Sequence, residues 1–323
     1  MKATRFAARL LLALAMVASL LVTLPAATRP AEAAGIIYVT TSGSSTNDGQ
    51  SWETAKDLQS AFASAGAGDE IWVAAGTYKP SAHWPSYSTD PRTATITLKD
   101  GVAIYGGFVG TESLRTGRNP NPATNGTVLS GDLSGNDTAN WGNRTDNSLQ
   151  VVSASGTDAS AILDGFTISG GCHDNGSSPW GAGMTCEGSP TLANLVFAGN
   201  RETNLSGGGM FVGSGTPSLT NVTFIGNRST SGNEGGMYID GDQGRAAVSL
   251  TNAVFSGNEA SSTGGAVYIC SANGSVSLTN VTFCGNAGGA RWVDDAITIF
   301  NSLVLPTYSV GGDAVESQQD RYL

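Results

Sequence analysis

Apolar and polar positions alternate in short runs through most of this chain, and between Leu192 and Asn286 the alternation itself repeats. A nine-residue phrase running from Leu to Gly-Asn occurs at Leu192–Asn200, Leu219–Asn227, Leu250–Asn258 and Leu278–Asn286. Its phenylalanines fall at Phe197, Phe224, Phe255 and Phe283, giving periods of 27, 31 and 28 residues. Between the phrases stand Gly208-Gly209, Gly235-Gly236 and Gly264-Gly265, each followed by a short apolar run. Self-similarity at this period marks a solenoid, whose single unit cannot bury its own apolar face.

Within one unit, Val248-x-Leu250 and Ala253-x-Phe255 each alternate, with a corner at Asn252 and another at Gly257-Asn258. A variable loop follows, and Ala266-Val-Tyr-Ile269 makes a third strand. Three short strands in about 28 residues, apolar on one side, predict an all-β, right-handed parallel β-helix. In the third strand, Met210-Phe-Val, Met237-Tyr-Ile and Ala266-Val-Tyr-Ile do not share one inward register. Stacked coils place equivalent residues above one another. The phenylalanines then form an internal stack. Asn200, Asn227, Asn258 and Asn286 form one hydrogen-bonded column, and Asn194, Asn221, Asn252 and Asn280 another, because an amide both donates and accepts.

The pattern changes at both ends. Lys2, Arg5 and Arg9 precede an apolar run from Leu10 to Leu24, and Ala31-Glu-Ala33 offers a cleavage site, so residues 1–33 read as a secretory signal peptide. The run is shorter than the roughly 20 residues a spanning helix needs. One helix is expected at 51–65, capped by Ser51 and covering the N-terminal end of the coil stack. Residues 79–92 and 109–148 read as long excursions from the wall. The regular repeats span 163–290 within a single domain at 34–305, and 306–323 is a polar tail. No membrane-barrel pattern is present in the sequence.

Without residues 1–33, which hold four of the 16 basic residues and one of the 26 acids, the chain carries a net charge of −13. That balance leaves no basic patch for a nucleic-acid backbone. With the signal removed no transmembrane segment remains.

Few residues suggest chemistry. Cys172 and Cys186, and Cys270 and Cys284, lie 14 apart and are disulfide candidates in an exported protein. Arg201, Glu202, Arg228 and Glu259 follow the Asn corner in successive coils and could share an outer ridge facing an acidic or sugar ligand. Asp240-Gly-Asp242 loosely fits a calcium-binding turn, calcium being the only cofactor the sequence suggests. His173-Asp174 is the one neighbouring imidazole–carboxylate pair, and no serine or second carboxylate can be placed beside it.

Phe224-Ile-Gly-Asn227 and Gly264-Gly-Ala266 resemble the paired motifs of the chlamydial polymorphic outer membrane protein repeats. Tyr38-Val39, Asp48-Gly-Gln-Ser-Trp52, Ala67 to Tyr78, Gly101 to Phe108 and Leu163 to Gly171 resemble exported bacterial parallel β-helix proteins of the pectate-lyase-like class. The likeness covers about 36–300. It implies the coil, an extracellular or cell-envelope location and, from the chlamydial type, outer-membrane association and adhesion. Chlamydial members end in an autotransporter barrel that has no counterpart in this sequence. The acidic calcium cluster and catalytic arginine of pectate lyases map onto no position here.

The expectation is therefore a secreted or cell-surface β-helical protein without catalytic activity, binding glycans or a neighbouring or host cell surface. The alternatives are a polysaccharide lyase or glycosidase acting on a uronate polymer, and a structural envelope module or piece of a longer surface protein. A glycosidase needs two carboxylates roughly 5–9.5 Å apart. The repeat columns contain no such pair.

Overall fold

The computed structural model describes residues 35–304 except 84–85, 87, 177–180, 205–206, 232–234, 241–245, 262–263, 271–274, 288–290, 294–296 and 301–302. The proposed signal peptide, the 306–323 tail and Asp242 therefore lie outside the described residues.

The chain winds as a parallel β-solenoid of about eight turns. In each regular turn a strand of a seven-stranded wall leads into a strand of a twelve-stranded wall. A two-residue strand of a four-stranded ridge follows, and then a variable loop. The first two strands expected per coil are one continuous strand in the structure, as at Val248–Ser256. Each such strand bends at its asparagine, where φ is 49° at Asn194, 56° at Asn221, 55° at Asn252 and 54° at Asn280. Asparagine tolerates this left-handed backbone because its short amide bonds locally.

Register is fixed by stacking identical residues. Phe197, Phe224, Phe255 and Phe283 pair in succession and are essentially unexposed. Their rings lie parallel at 4.7, 4.7 and 5.2 Å between centroids. Beside them the amides of Asn200, Asn227 and Asn258 each donate to the oxygen of the next coil's asparagine, at 3.0, 2.9 and 2.9 Å. The same oxygens accept the backbone N–H of Asn200, Asn227 and Asn258. Wholly buried amides are tolerable because these hydrogen-bond demands are met. The outer column bonds likewise, from Asn280 to Asn252 to Asn221 to Asn194, and Asn194 donates to Asp164 at 2.7 Å.

Three boundaries differ from expectation. The helix spans Leu58–Ser64, and Asp57 caps it by accepting from the Ser60 N–H at 2.9 Å. Lys56 pairs with Val39 as an extended bridge, so the helix cannot begin at Ser51. Leu58, Ala61 and Phe62 join the same buried cluster as Ile37, Val39 and Ile71. Trp52 instead packs with Tyr38 and Phe108 in a second cluster.

Thr127–Ser130 is no part of an excursion. It pairs with Gly76–Tyr78 on one side and with the end of Ile162–Ser169 on the other, inside the long wall. The 109–148 stretch is thus two excursions, 109–126 and 131–148.

The third strands do share one register. Met210, Met237 and Val267 align, as do Val212, Ile239 and Ile269, and all six face the core. Counting from the glycine pairs fails because Ala266 fills the slot of Gly236: Met210 N bonds Gly236 O, and Met237 N bonds Ala266 O.

Candidate functional site

Two outer surfaces of the coil carry side chains that the core does not consume. The first follows from the corrected register. On the seven-stranded wall Phe211, Tyr238 and Tyr268 occupy one column between the two inward-facing columns, and a strand's alternation turns them outward. Centroids are 5.5 Å apart between Phe211 and Tyr238 and 5.7 Å between Tyr238 and Tyr268. Phe211 is buried at 6% exposure, and both tyrosines are half-buried. The column continues in register through the buried Thr185 and Ser153 to the exposed Thr97. Two residues further along the strands lie Asp240 and Cys270, in register with each other, and the exposed Glu187 stands nearby. Asp240 is thus a strand residue beside Tyr238 and does not sit in a turn. No cluster of three His, Cys, Asp or Glu able to hold a metal occurs among the described residues.

The second surface is the four-stranded ridge. Cys172, Arg201, Arg228 and Glu259 align on successive rungs, which brings Arg201, Arg228 and Glu259 together as one column. Glu202 does not join them. In a two-residue strand adjacent side chains point oppositely, and Glu202 is fully buried in the next column with His173, Ser229 and Ala260. There the His173 Nδ1 stands 2.9 Å from Glu202 Oε2, within ion-pair reach but outside hydrogen-bond alignment, and Glu202 Oε1 accepts the Asn204 N–H at 2.8 Å. Asp174, the sequence neighbour of His173, pairs instead with Arg92 at 2.7 Å. The imidazole's carboxylate partner therefore comes from the next coil and is sealed from solvent.

The 131–148 excursion folds over this ridge. Asp132 shapes it by accepting the backbone N–H of Gly135, Asn136 and Asp137. Arg144 Nη1 donates to Gly199 O at 2.7 Å, and Nη2 lies 3.3 Å from Asp137 Oδ2. The guanidinium of Arg144 lies 4.5 Å from the centre of the Trp141 ring and that of Arg228 lies 6.0 Å from it. Arg228 in turn lies 3.2 Å from Glu259. Burial pushes the Asp137 carboxyl above its ordinary range. The Asn147 amide and Arg144 oppose that shift, and the neighbouring Asp132 and Asp146 reinforce it.

All four cysteines are free thiols, so neither expected disulfide is present. Cys172 lies on the ridge and Cys186 on the seven-stranded wall; Cys270 and Cys284 also belong to different walls. An equal spacing of 14 residues carries a chain around a corner of the coil instead of back to a bonding neighbour. Burial raises Cys172 to about 11 and Cys186 to about 12, so both stay protonated and unreactive at neutral pH.

No family model matches the chain, and no curated protein matches it. Among solved structures it is similar to a pectate lyase, at 17% identity over 88% of this chain and 79% of that one, with a TM-score of 0.39. It is similar to the pectin methylesterase from Aspergillus niger at 13% identity, covering 89% and 94%, with a TM-score of 0.40. A rhamnogalacturonan lyase matches at 15% identity and a TM-score of 0.36, with 84% of this chain spanning 62% of that one. By its own strand order and register the chain is a parallel β-helix protein. Among the described residues no helix is long and apolar enough to cross a membrane.

Proposed function

We propose that this is a secreted or cell-surface β-helical protein, non-catalytic, that binds a glycan along its seven-stranded wall, with adhesion as the consequence. The carrying observation is the outward-facing pair Tyr238 and Tyr268, half-buried and stacked in line with the buried Phe211 by the same register that orders the core. Aromatic side chains offer an apolar edge or face together with a polar tip, which suits the mixed surface of a sugar. The flanking Glu187 and Asp240 supply acceptors for hydroxyl groups and disfavour a polyanion, so the ligand class is a neutral or amino-bearing glycan. Export is supported by the basic start and apolar run of residues 1–24.

A glycan array probed with the protein should return neutral chains. The double variant Tyr238→Ala/Tyr268→Ala should lose that binding while unfolding at nearly the same urea concentration, because neither ring belongs to the core. Release of reducing sugar from pectin or other uronate polymers by the purified protein would overturn the non-catalytic reading.

A further inference from the structure

We infer a second, separate binding site on the four-stranded ridge: Arg201, with Arg228, Arg144 and the ring of Trp141, takes an oxyanion group, a sulfate or carboxylate.

Six arginines have described side chains, and five carry a carboxylate: Arg92 with Asp174, Arg115 with Glu70, Arg118 with Asp164, Arg144 with Asp137 and Arg228 with Glu259. Arg201 has no such partner among the described residues. It stands directly in register with Arg228, so two guanidinium-bearing residues occupy adjacent rungs. Like charges in register repel unless something neutralises them. On its other side Arg201 meets Cys172, whose thiol stays neutral. Among the described residues, the Nε–H groups of Arg201, Arg228 and Arg144 are all buried and without a hydrogen-bond partner. Buried unsatisfied donors are few in native proteins, and three within one cluster of cations mark a place where an acceptor belongs. Guanidinium donors suit an oxyanion in particular, through charge-assisted and often paired hydrogen bonds.

Trp141 adds the second half of the case. Its φ is +62°, a left-handed conformation that is an outlier for so bulky a residue. The excursion holds it there, with the guanidinium groups of Arg144 and Arg228 at 4.5 and 6.0 Å from the ring centre. Strain kept at an exposed loop is characteristic of functional sites. A ring bearing the oxyanion could lie against the indole while the anion meets Arg201. This ridge lies on a different wall from the aromatic column, and the inference does not depend on the glycan reading.

Calorimetry with glucose, inorganic sulfate and glucose 6-sulfate tests it. Saturable binding of the sulfated sugar but not of glucose is expected, and Arg201→Gln should weaken it roughly tenfold or more. Selective loss in Trp141→Ala of glucose 6-sulfate, with inorganic sulfate retained, would support a ring-borne anion. Equal binding of both anions, indifferent to Trp141, would support a bare oxyanion site. No saturable binding of either anion, or unchanged affinity in Arg201→Gln, would overturn the inference. Should Arg201→Gln not fold, the wild-type protein serves: an arginine-specific dicarbonyl should modify Arg201 more slowly in the presence of glucose 6-sulfate. Equal modification rates would be equally fatal.

Discussion

Two excursions leave the long wall, and each is held down by arginines placed against an aromatic ring, yet they are finished differently. In 109–126, Arg115 and Arg118 lie 4.6 and 5.1 Å from the Tyr105 ring, and both meet carboxylates, Glu70 and Asp164. The loop's Glu112 closes its own turn by accepting the N–H of Val109, Gly110 and Thr111, and its backbone oxygen accepts from the Trp52 indole. In 131–148 the ring is Trp141, in a left-handed backbone, and among the described residues the cluster beneath it keeps three unsatisfied Nε–H groups and one arginine without a counter-ion. The first clamp is closed chemistry. The second leaves donors unmet, and that difference separates a staple from a site.

The largest expected effect comes from breaking the closed clamp. Arg118 Nη2 lies 2.6 Å from Asp164 Oδ2, with only 9% and 14% of the two side chains exposed, and Nη1 donates to Gly106 O at 2.9 Å. Asp164 also anchors the outer asparagine column through Asn194. Arg118→Met strands a mostly buried carboxylate and should cost about 3 kcal/mol in urea unfolding. Arg201→Gln, on the open ridge, should cost under about 1 kcal/mol because no partner is abandoned. Equal losses in the two variants would erase the distinction between the clamps.

The contrast between repeat and excursion also explains what could be read in advance. Phe197, Phe224, Phe255 and Phe283 and their asparagines were legible because one period sets both their spacing and their stacking. The aromatic column at Phe211, Tyr238 and Tyr268 was not, since Gly264-Gly265 draws the eye one residue out of register; aligning Val212, Ile239 and Ile269 instead reveals it. Arg201 and Arg228 were found as neighbours by their common offset from Phe. Glu202 was misplaced because adjacency in sequence becomes opposition across a strand. Trp141 and Arg144 have no periodic relation to the ridge, and only tertiary folding of the loop brings them there. Thr127–Ser130 looked like part of a polar excursion because its pairing partners lie far away, in Gly76–Tyr78 and Ile162–Ser169.

A smaller effect should separate the clamps by pH. Burial alone would raise the Glu112 carboxyl, but the N–H groups of Val109, Thr111 and Gly110 outweigh it and hold the group below its ordinary 4.5. A carboxyl with a lowered folded pKa stabilises the fold above its unfolded value and loses that contribution as pH falls through the folded value. Glu112→Gln should therefore cost up to about 1 kcal/mol at pH 7, an upper bound for a half-exposed group. Its unfolding curve should converge on the wild-type curve in acid. A constant gap across pH 3–7 would show that shape, not charge, closes that loop.

The smallest effect on stability, and the sharpest on the open ridge, should come from Asp137→Asn. Asp137 is the counter-ion of Arg144 and is held partly protonation-prone by burial and by Asp132 and Asp146. With its folded pKa raised, its contribution to stability is present below the ordinary 3.8 and lost as pH rises through the elevated value, so ionisation works against the fold at neutral pH. The amide removes that opposition while leaving Asn147 a partner, and the net change at pH 7 should stay within about 0.5 kcal/mol. It also releases Arg144 from its carboxylate, adding a cation to the unpaired Arg201. Binding of glucose 6-sulfate should then tighten, by roughly threefold at low ionic strength and less at physiological salt. Weaker binding in Asp137→Asn would mean that Asp137 orients Arg144 for the anion instead of competing with it. The ridge would then resemble the Tyr105 clamp more than its unpaired donors suggest.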